Sequence, residues 1–321
     1  MYYWQKITFI ISVEIIKVIF FINCLLHLYH QMKTASYVID GQPCAVSIVG
    51  APPFQFGRDE VLSSATTDVT YYQDWYSEGY AEVPFLNQSE YKSLHEGLTS
   101  SIEAIVQKEL GIDTNGFSLE KYHHFVTRTE DHFKVVGKTR DLFADDFHFP
   151  ILELIPRLEK ILGFKLNDID PYLGHKVHII VRINRPKSTD FNPPHKDIYE
   201  GVDIDNYIPQ FLNFWIPVAG VTEKSSLPLA PRSHRLKESE ILRTFDGGVV
   251  ENNKYRVRMI KSWAGDTTLT RSRVKYGEVL LFSSHLIHGL ATNDEEDTTR
   301  VALEFRLFKC DKTNQKRVNF H

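Results

Sequence analysis

The stretch KVHIIVRINRP (residues 176–186) has the two-residue alternation of a β-strand. One set of alternate positions is apolar throughout: Val177, Ile179, Val181 and Ile183. The other set is mixed or polar: His178, Ile180, Arg182 and Asn184. Successive side chains of a strand leave opposite faces. The pattern therefore predicts a strand with one buried face.

Four similar runs follow: FLNFWIPV (211–218), YRVRMI (255–260), GEVLLF (277–282) and RVALEFRLF (300–308). Turn-forming pairs such as Gly247-Gly248 and Gly265-Asp266 separate them. No long helical pattern interrupts this half, which disfavours parallel βαβ units. We therefore expect a mainly β fold with an antiparallel sandwich or barrel, such as a jelly roll, over residues 170–308.

Helices are expected before these strands. Asn87 or Ser89 can cap a helix whose apolar face runs to Gly111, and further helices fit residues 118–131 and 150–162. We thus expect one domain over residues 75–310, helix-rich up to 165. Residues 32–74 read as an irregular lead-in with one or two short strands.

The composition excludes some functions. The 321 residues carry a formal net charge of −4, which is too balanced to indicate nucleic-acid binding. Three cysteines, Cys24, Cys44 and Cys310, lack C-x-x-C spacing. A disulfide framework and a thiolate zinc site are therefore disfavoured, and a reducing, cytoplasmic compartment fits best.

The N-terminal segment ITFIISVEIIKVIFFINCLLHLY (7–29) is apolar enough to be considered as a membrane span. Glu14 and Lys17 lie inside it, and each would be costly near a bilayer centre. We favour Met32 as the true start over a retained anchor in residues 1–31.

The segment NPPHKDIYEG (192–201) places an imidazole and a carboxylate two residues apart. In a strand, His195 and Asp197 would share a face while Lys196 turns away. One interpretation is a metal site at a strand end. The other is a pair of solvated polar residues, which is commoner for an isolated H-x-D.

A second source of ligands is GEVLLFSSHLIHGLATN (277–293), which contains His285 and His288; only one of the two is needed. Gly289 lets the backbone pass close to its neighbours beside His288. Two histidines and one carboxylate on one face of an iron leave three positions open for substrates.

An anionic co-substrate in those positions needs a fixed cation, and arginine offers a two-pronged donor for a carboxylate. Arg300 and Arg306 share a face of the predicted strand 300–308, with Glu304 between them. The alternative is a surface ladder in which both arginines pair with Glu304.

These motifs, in this order, resemble those of the Fe(II)/2-oxoglutarate-dependent dioxygenases, and within them the phytanoyl-CoA dioxygenase-like group. SEGYAEVPFLNQSEYKSL (77–94) is similar to that group's opening strand and helix. LNFWIPVAGVTEKSSLPLAPRSHR (212–235) resembles its W-I-P strand and following loop, and RVALEFR (300–306) its final strand.

The resemblance implies a double-stranded β-helix of jelly-roll type with helices packed on one side. It implies an iron held by His195, Asp197 and His288, with 2-oxoglutarate bound by Arg300, or by Arg306 as the reserve candidate. The implied reaction uses dioxygen to hydroxylate a small molecule. A non-enzymatic β-barrel binding protein, or a cupin-like metal enzyme of another reaction class, is the alternative.

Several further residues are weaker candidates. Asn213, Trp215 and Arg182 lie on strands that would line the barrel and so can touch co-substrate or substrate, although the size of Trp215 favours a core position. Arg232 and His234 either meet a polar substrate or face solvent. His123 and His124 are expected on a helix surface.

Overall fold

The structure is a computed structural model, and it describes residues 33–49, 53–140, 142, 147, 149–171, 174–176, 179–251 and 253–310. The apolar N-terminal segment 1–31 lies outside the described residues, as do Val177 and His178 of the first predicted strand. Within them, the α-helices are α1 (Gln88–Leu110), α2 (Tyr122–Phe125), α3 (Thr129–Thr139), α4 (Ile155–Leu162) and α5 (Tyr199–Asp205).

Fifteen strands dominate the described part of the chain. They are β1 (Lys33–Ile39), β2 (Gln42–Val49), β3 (Gln55–Phe56), β4 (Tyr80–Pro84), β5 (Leu166–Asn167), β6 (Ile180–Asn184), β7 (Phe211–Ala219), β8 (Pro228–Leu229), β9 (Ile241–Arg243), β10 (Gly248–Val250), β11 (Asn253–Tyr255), β12 (Ile260–Trp263), β13 (Thr268–Arg271), β14 (Glu278–Ser283) and β15 (Arg300–Lys309).

Two six-stranded sheets form the jelly roll. The first sheet has the order β4-β14-β7-β15-β5, with β6 also paired to β15, and the second has the order β11-β10-β2-β1-β13-β8. A small sheet of β12, β9 and β3 adjoins them. The pairings are antiparallel except that of β1 with β13. The fold is mainly β, as the sequence predicts.

The two faces of the first sheet have different surroundings. Odd-numbered residues of β15, such as Leu303 and Phe305, join a core cluster with Leu98 and Ile102 of α1. Arg300 and Glu304, two of the even-numbered residues, line an interior cavity instead. The alternation of β15 thus puts the helices on one face of the sheet and polar chemistry on the other.

The segment 32–74 is not the irregular lead-in that the sequence analysis expects. β1 and β2 form a hairpin that supplies the centre of the second sheet, with Ile39 opposite Gln42 across the turn Asp40-Gly41. Tyr37 is buried and donates from Oη to the carbonyl oxygen of Ile260 over 2.8 Å. Residues 33–49 are therefore part of the same fold as the strands after residue 75.

Two other predicted elements are divided in the structure. A helix over residues 118–131 is wrong, because Val126 has φ −115° and ψ 79° and so ends α2 before α3 begins. The run 255–260 is not one strand: β11 pairs with β10 in the second sheet, whereas β12 pairs with β9 in the small one. The chain leaves one sheet for another between them.

Helix α1 shows why local sequence decides its limits. Asn87 accepts from the backbone N–H of Glu90, and Glu90 accepts from that of Asn87, so the first turn has a capping box. Gly111 ends the helix at φ 65°, a conformation that glycine adopts without strain. Among the described residues, no helix combines the length and apolarity of a membrane span.

Candidate metal centre

His195 and Asp197 lie where the chain passes from an extended segment into α5. His195 forms an isolated antiparallel bridge with His288, in which each backbone N–H donates to the other residue's carbonyl, over 2.9 and 3.1 Å. His288 also bridges to Leu229 of β8. The backbones of both histidines therefore extend the edge of the second sheet, which brings together residues that are distant in sequence.

The three side chains converge on one point. His195 Nε2 lies 3.5 Å from Asp197 Oδ1, and His288 Nε2 lies 3.6 Å from Asp197 Oδ2. All three side chains are at most 4% exposed. Two ligands at right angles around an ion, each about 2.1 Å from it, lie about 3 Å apart. The spacing fits one first-row divalent ion.

Hydrogen bonds on the far side of each ring orient the imidazoles. His195 Nδ1 lies 2.7 Å from the carbonyl oxygen of Pro193, and His288 Nδ1 lies 3.1 Å from that of Leu286. A carbonyl only accepts, so each Nδ1 carries a proton, and in the neutral ring the lone pair is on Nε2. This is the tautomer that a metal ligand needs.

Asp197 is held as a carboxylate by its neighbours. Arg306 Nη2 donates to Oδ1 over 2.6 Å, and Asn213 Nδ2 donates to Oδ2 over 2.7 Å. Burial alone would raise the pKa of Asp197, but Arg306 and the two imidazoles outweigh burial and hold the pKa well below its usual range. Each carboxylate oxygen keeps a further lone pair, so both contacts are compatible with metal binding.

His288 is kept neutral. Burial, with a smaller contribution from His195, lowers its pKa to about 4 against the opposing attraction of Asp197. An unprotonated imidazole beside an ionised carboxylate is a donor set that a divalent first-row metal ion can use.

A cavity of about 370 Å³ opens beside the triad. His195 and His288 form part of its wall, and Arg300, Trp215 and Glu304 form another part. The Arg300 side chain is 1% exposed and donates from Nη2 to the carbonyl oxygen of Ala291 over 3.3 Å. Among the described residues, Nε and Nη1 of Arg300 have no hydrogen-bond partner.

The two arginine candidates therefore have different surroundings. Arg300 lines the cavity with unsatisfied donors, whereas Arg306 contacts Asp197 and is 33% exposed. The ladder of both arginines with Glu304 is wrong, because Glu304 forms two hydrogen bonds with Arg182 of β6, over 2.9 and 2.7 Å.

Of four weaker candidates, two lie at the site and two do not. Trp215 is fully buried in a core cluster and also lines the cavity, and Asn213 contacts Asp197. Arg232 is exposed and pairs with Glu78, while His234 is buried and 2.7 Å from the carbonyl oxygen of Tyr76. Neither Arg232 nor His234 is among the cavity-lining residues, so the loop before them does not bring them to the metal centre.

The other candidate histidines, His285, His123 and His124, do not join the triad. His285 is fully buried, with Nε2 3.2 Å from the carbonyl oxygen of Thr67. His123 and His124 both reach Asp297 Oδ1, over 2.8 and 2.7 Å, and could hold an ion there. Lys121 neutralises the other oxygen of Asp297. These hydrogen bonds join α2 and the residue before it to the loop that precedes β15, and they account for the cluster without an ion.

Sequence reasoning missed part of the site. Lys196 does turn away from its neighbours, as predicted, but it is buried and pairs with Glu238 over 2.9 Å. His132 and Arg140 of the α3 region, and Lys254 of β11, also line the cavity. No motif marks them, because they come from distant parts of the chain.

Comparison with known proteins gives a likeness of fold. No protein-family model matches the chain, and no curated protein matches its sequence. Three solved structures illustrate the likeness: the epimerase SnoN in complex with Fe3+, alpha ketoglutarate and nogalamycin RO, EctD from S. alaskensis with 2-oxoglutarate and 5-hydroxyectoine, and the carbocyclase SnoK from nogalamycin biosynthesis.

The alignments are extensive and the similarity is low. SnoN is 12% identical, over 73% of this chain and 80% of its own, with a TM-score of 0.37. EctD is 12% identical, over 81% and 84%, with a TM-score of 0.42. SnoK is 16% identical, over 79% and 88%, with a TM-score of 0.36. At these values the likeness says nothing about the reaction of this chain.

Proposed function

We propose that this chain is an Fe(II)- and 2-oxoglutarate-dependent oxygenase that hydroxylates a small molecule, of the phytanoyl-CoA dioxygenase-like type. One observation carries the proposal. A buried His-Asp-His triad with correctly oriented ring nitrogens lies in the wall of a cavity that also contains a buried arginine with unsatisfied donors. The first part fits iron(II), and the second fits a carboxylate.

The triad residues have distinct tasks. His195 and His288 offer Nε2 atoms as donors, and Asp197 offers the anionic oxygen that Arg306 and Asn213 keep in place. Three ligands on one face leave room for a bidentate co-substrate and dioxygen. When bound, the iron and 2-oxoglutarate supply the oxidising chemistry, and the protein supplies position and exclusion of water.

Arg300 is the residue that we assign to the distal carboxylate of 2-oxoglutarate. Burial, and then the charges of Arg182 and Arg271, lower its pKa to about 9. A carboxylate would satisfy Nε and Nη1 and compensate that buried charge. Trp215, with its ring centroid 5.7 Å from the guanidinium, limits the positions that Arg300 can take.

The test of the reaction is succinate formation from 2-oxoglutarate with Fe(II) and dioxygen. Wild-type protein should form succinate only when both iron and 2-oxoglutarate are present, and His195→Ala should form none, because it removes one of three ligands. His124→Ala, a surface variant, is the matched control and should retain turnover. Unchanged turnover in His195→Ala would refute the assignment of the metal centre.

The two arginines can be separated by the Michaelis constant for 2-oxoglutarate. Arg300→Gln should raise that constant about 10- to 100-fold, the usual cost of losing charge-assisted hydrogen bonds. Arg306→Gln should instead weaken Fe(II) binding, since Asp197 loses its partner. The opposite pattern would give the co-substrate role to Arg306.

The alternatives predict other results. A non-enzymatic binding protein would bind the metal without succinate formation. A cupin-type enzyme of another reaction class would turn over its substrate without 2-oxoglutarate.

A further inference from the structure

The outer part of the cavity differs in charge from the part beside the metal centre. Arg140, which follows α3, and Lys254 of β11 both line the cavity and are both exposed. They come from segments that are far apart in sequence. The cavity wall therefore carries two solvent-exposed cations from separate elements.

The acidic residues of the cavity wall do not neutralise these cations. Asp190 is bound by Arg185, whose Nε and Nη2 donate over 2.8 and 3.0 Å. Glu304 is bound in the same two-pronged way by Arg182. Both carboxylates of the wall are thus paired with arginines other than Arg140.

Among the described residues, no carboxylate lies within ion-pair distance of Arg140 or Lys254. Burial and then the charges of Arg182 and Arg256 lower the pKa of Arg140, and Glu304 opposes them. With Arg300 assigned to the co-substrate, the wall retains two positive charges that nothing in the proposed reaction uses.

Apolar side chains form much of the rest of the cavity wall. Phe133 and Val136 of α3 line the cavity, as do Phe191, Leu227 and Tyr255. Phe133 is 50% exposed, so part of this apolar surface reaches solvent. The wall thus combines apolar side chains with an exposed cationic rim formed by Arg140 and Lys254.

We propose that the substrate is an organic anion with an apolar body, whose carboxylate, sulfate or phosphate group is held at the opening by Arg140 and Lys254. Its role as substrate rests on the proposed function; the anion site itself does not. Binding of the anion at the rim directs the apolar body toward the triad, which fixes the part of the molecule that meets the metal centre.

The test uses two fluorescent probes that differ in one charged group. 8-Anilinonaphthalene-1-sulfonate carries a sulfonate, whereas N-phenyl-1-naphthylamine has the same rings without it. Metal-free wild-type chain should bind the sulfonate more tightly, and added sodium chloride should weaken this preference. Arg140→Gln and Lys254→Gln should each lower the sulfonate affinity about three- to ten-fold and leave the uncharged probe unaffected.

Arg128→Gln is the matched control, because Arg128 lies at the opposite end of α3 and does not line the cavity. Unaltered binding of the uncharged probe shows that each variant is folded. Equal wild-type affinity for the two probes would overturn the proposal, as would sulfonate binding within two-fold of wild type in both variants. Succinate formation without a preference for the sulfonate probe would leave the proposed function standing and refute the anion site. A preference for the sulfonate probe without succinate formation would support the anion site and refute the proposed function.

Discussion

Lys196 is a charged side chain that the fold uses as a structural anchor. Its ammonium group lies 2.9 Å from Glu238 Oε1, and the two side chains are 1% and 3% exposed. Tyr199 lies alongside, with its ring centroid 5.6 Å from Nζ. Because Lys196 stands between His195 and Asp197, this buried ion pair holds the short segment that carries two of the three proposed ligands.

Loss of one partner of a buried pair leaves an uncompensated charge. Lys196→Met should lower the free energy of unfolding by about 3–5 kcal/mol, moderated by Arg243 at 3.6 Å from Glu238. Lys187→Met is the control, because Lys187 forms an exposed pair with Glu296 and should cost less than about 1 kcal/mol. Guanidinium unfolding curves measure both. Equal effects of the two substitutions would contradict a structural role for Lys196.

Residue-scale chemistry could be predicted from the sequence only in part. The ligand types and the same-face relation of Arg300 and Arg306 follow from spacing in one strand. The different surroundings of the two arginines do not follow from spacing, because the contact of Arg306 with Asp197 joins residues 109 positions apart. The partner of Glu304 lies 122 positions away, on a neighbouring strand. Register between distant strands sets both contacts.

At the scale of elements, Gly289 shows how a strand end is shaped to fit the metal centre. Its φ is +135°, and a Cβ atom there would lie 2.5 Å from the carbonyl oxygen of Pro193. Pro193 O is also the acceptor of His195 Nδ1. The close backbone approach that the sequence predicts at Gly289 is thus part of the same contact that orients a ligand.

A side chain at position 289 should therefore disturb both folding and metal binding. Gly289→Ala should cost about 2–4 kcal/mol of stability, because strained φ and overpacking add. It should also weaken Co(II) binding, measured by calorimetric titration. Gly163→Ala is the control: Gly163 has φ +77° with nothing within 4 Å of an added Cβ. Gly163→Ala should lower the stability and leave the Co(II) affinity unchanged. An unchanged Co(II) affinity in Gly289→Ala would show that the packing at Gly289 does not affect metal binding.

At the scale of the whole molecule, the hairpin of β1 and β2 is the main part of the fold that sequence analysis missed. The signal was present, because Asp40-Gly41 is a favoured two-residue hairpin turn between alternating strands. Ala35, Tyr37 and Ile39 supply the buried face. The cavity is different: its wall combines residues from positions 132 to 304, and no local pattern encodes such a surface.

Global stability should depend on pH through buried histidines such as His132. Burial is the main reason why its pKa falls to about 4, from an ordinary value of 6.5. Between these pH values the unfolded chain binds a proton that the folded chain does not. Protonation of His132 therefore does not lower the free energy of unfolding above pH 6.5. Below that pH the free energy of unfolding falls, and it continues to fall until the pH is near 4.

The expected loss from His132 is about 2 kcal/mol at pH 5. His132→Gln should make the unfolding free energy less dependent on pH between 6.5 and 4.5, as measured by guanidinium unfolding at a series of pH values. Other buried histidines, His234 among them, keep part of the slope. An unchanged slope in the variant would show that His132 titrates normally in the folded chain.

The reciprocal backbone bridge between His195 and His288 has a consequence for metal supply. Main-chain hydrogen bonds and the contact of Arg306 with Asp197 hold the three side chains in place, so the triad is preorganised without an ion. A preassembled set of two nitrogens and one oxygen discriminates poorly among first-row ions, and nickel, copper or zinc would outcompete iron(II) at equal concentration. The ion that occupies the proposed site is then decided by the metals that its surroundings provide, and purification on a nickel resin would load the site with nickel.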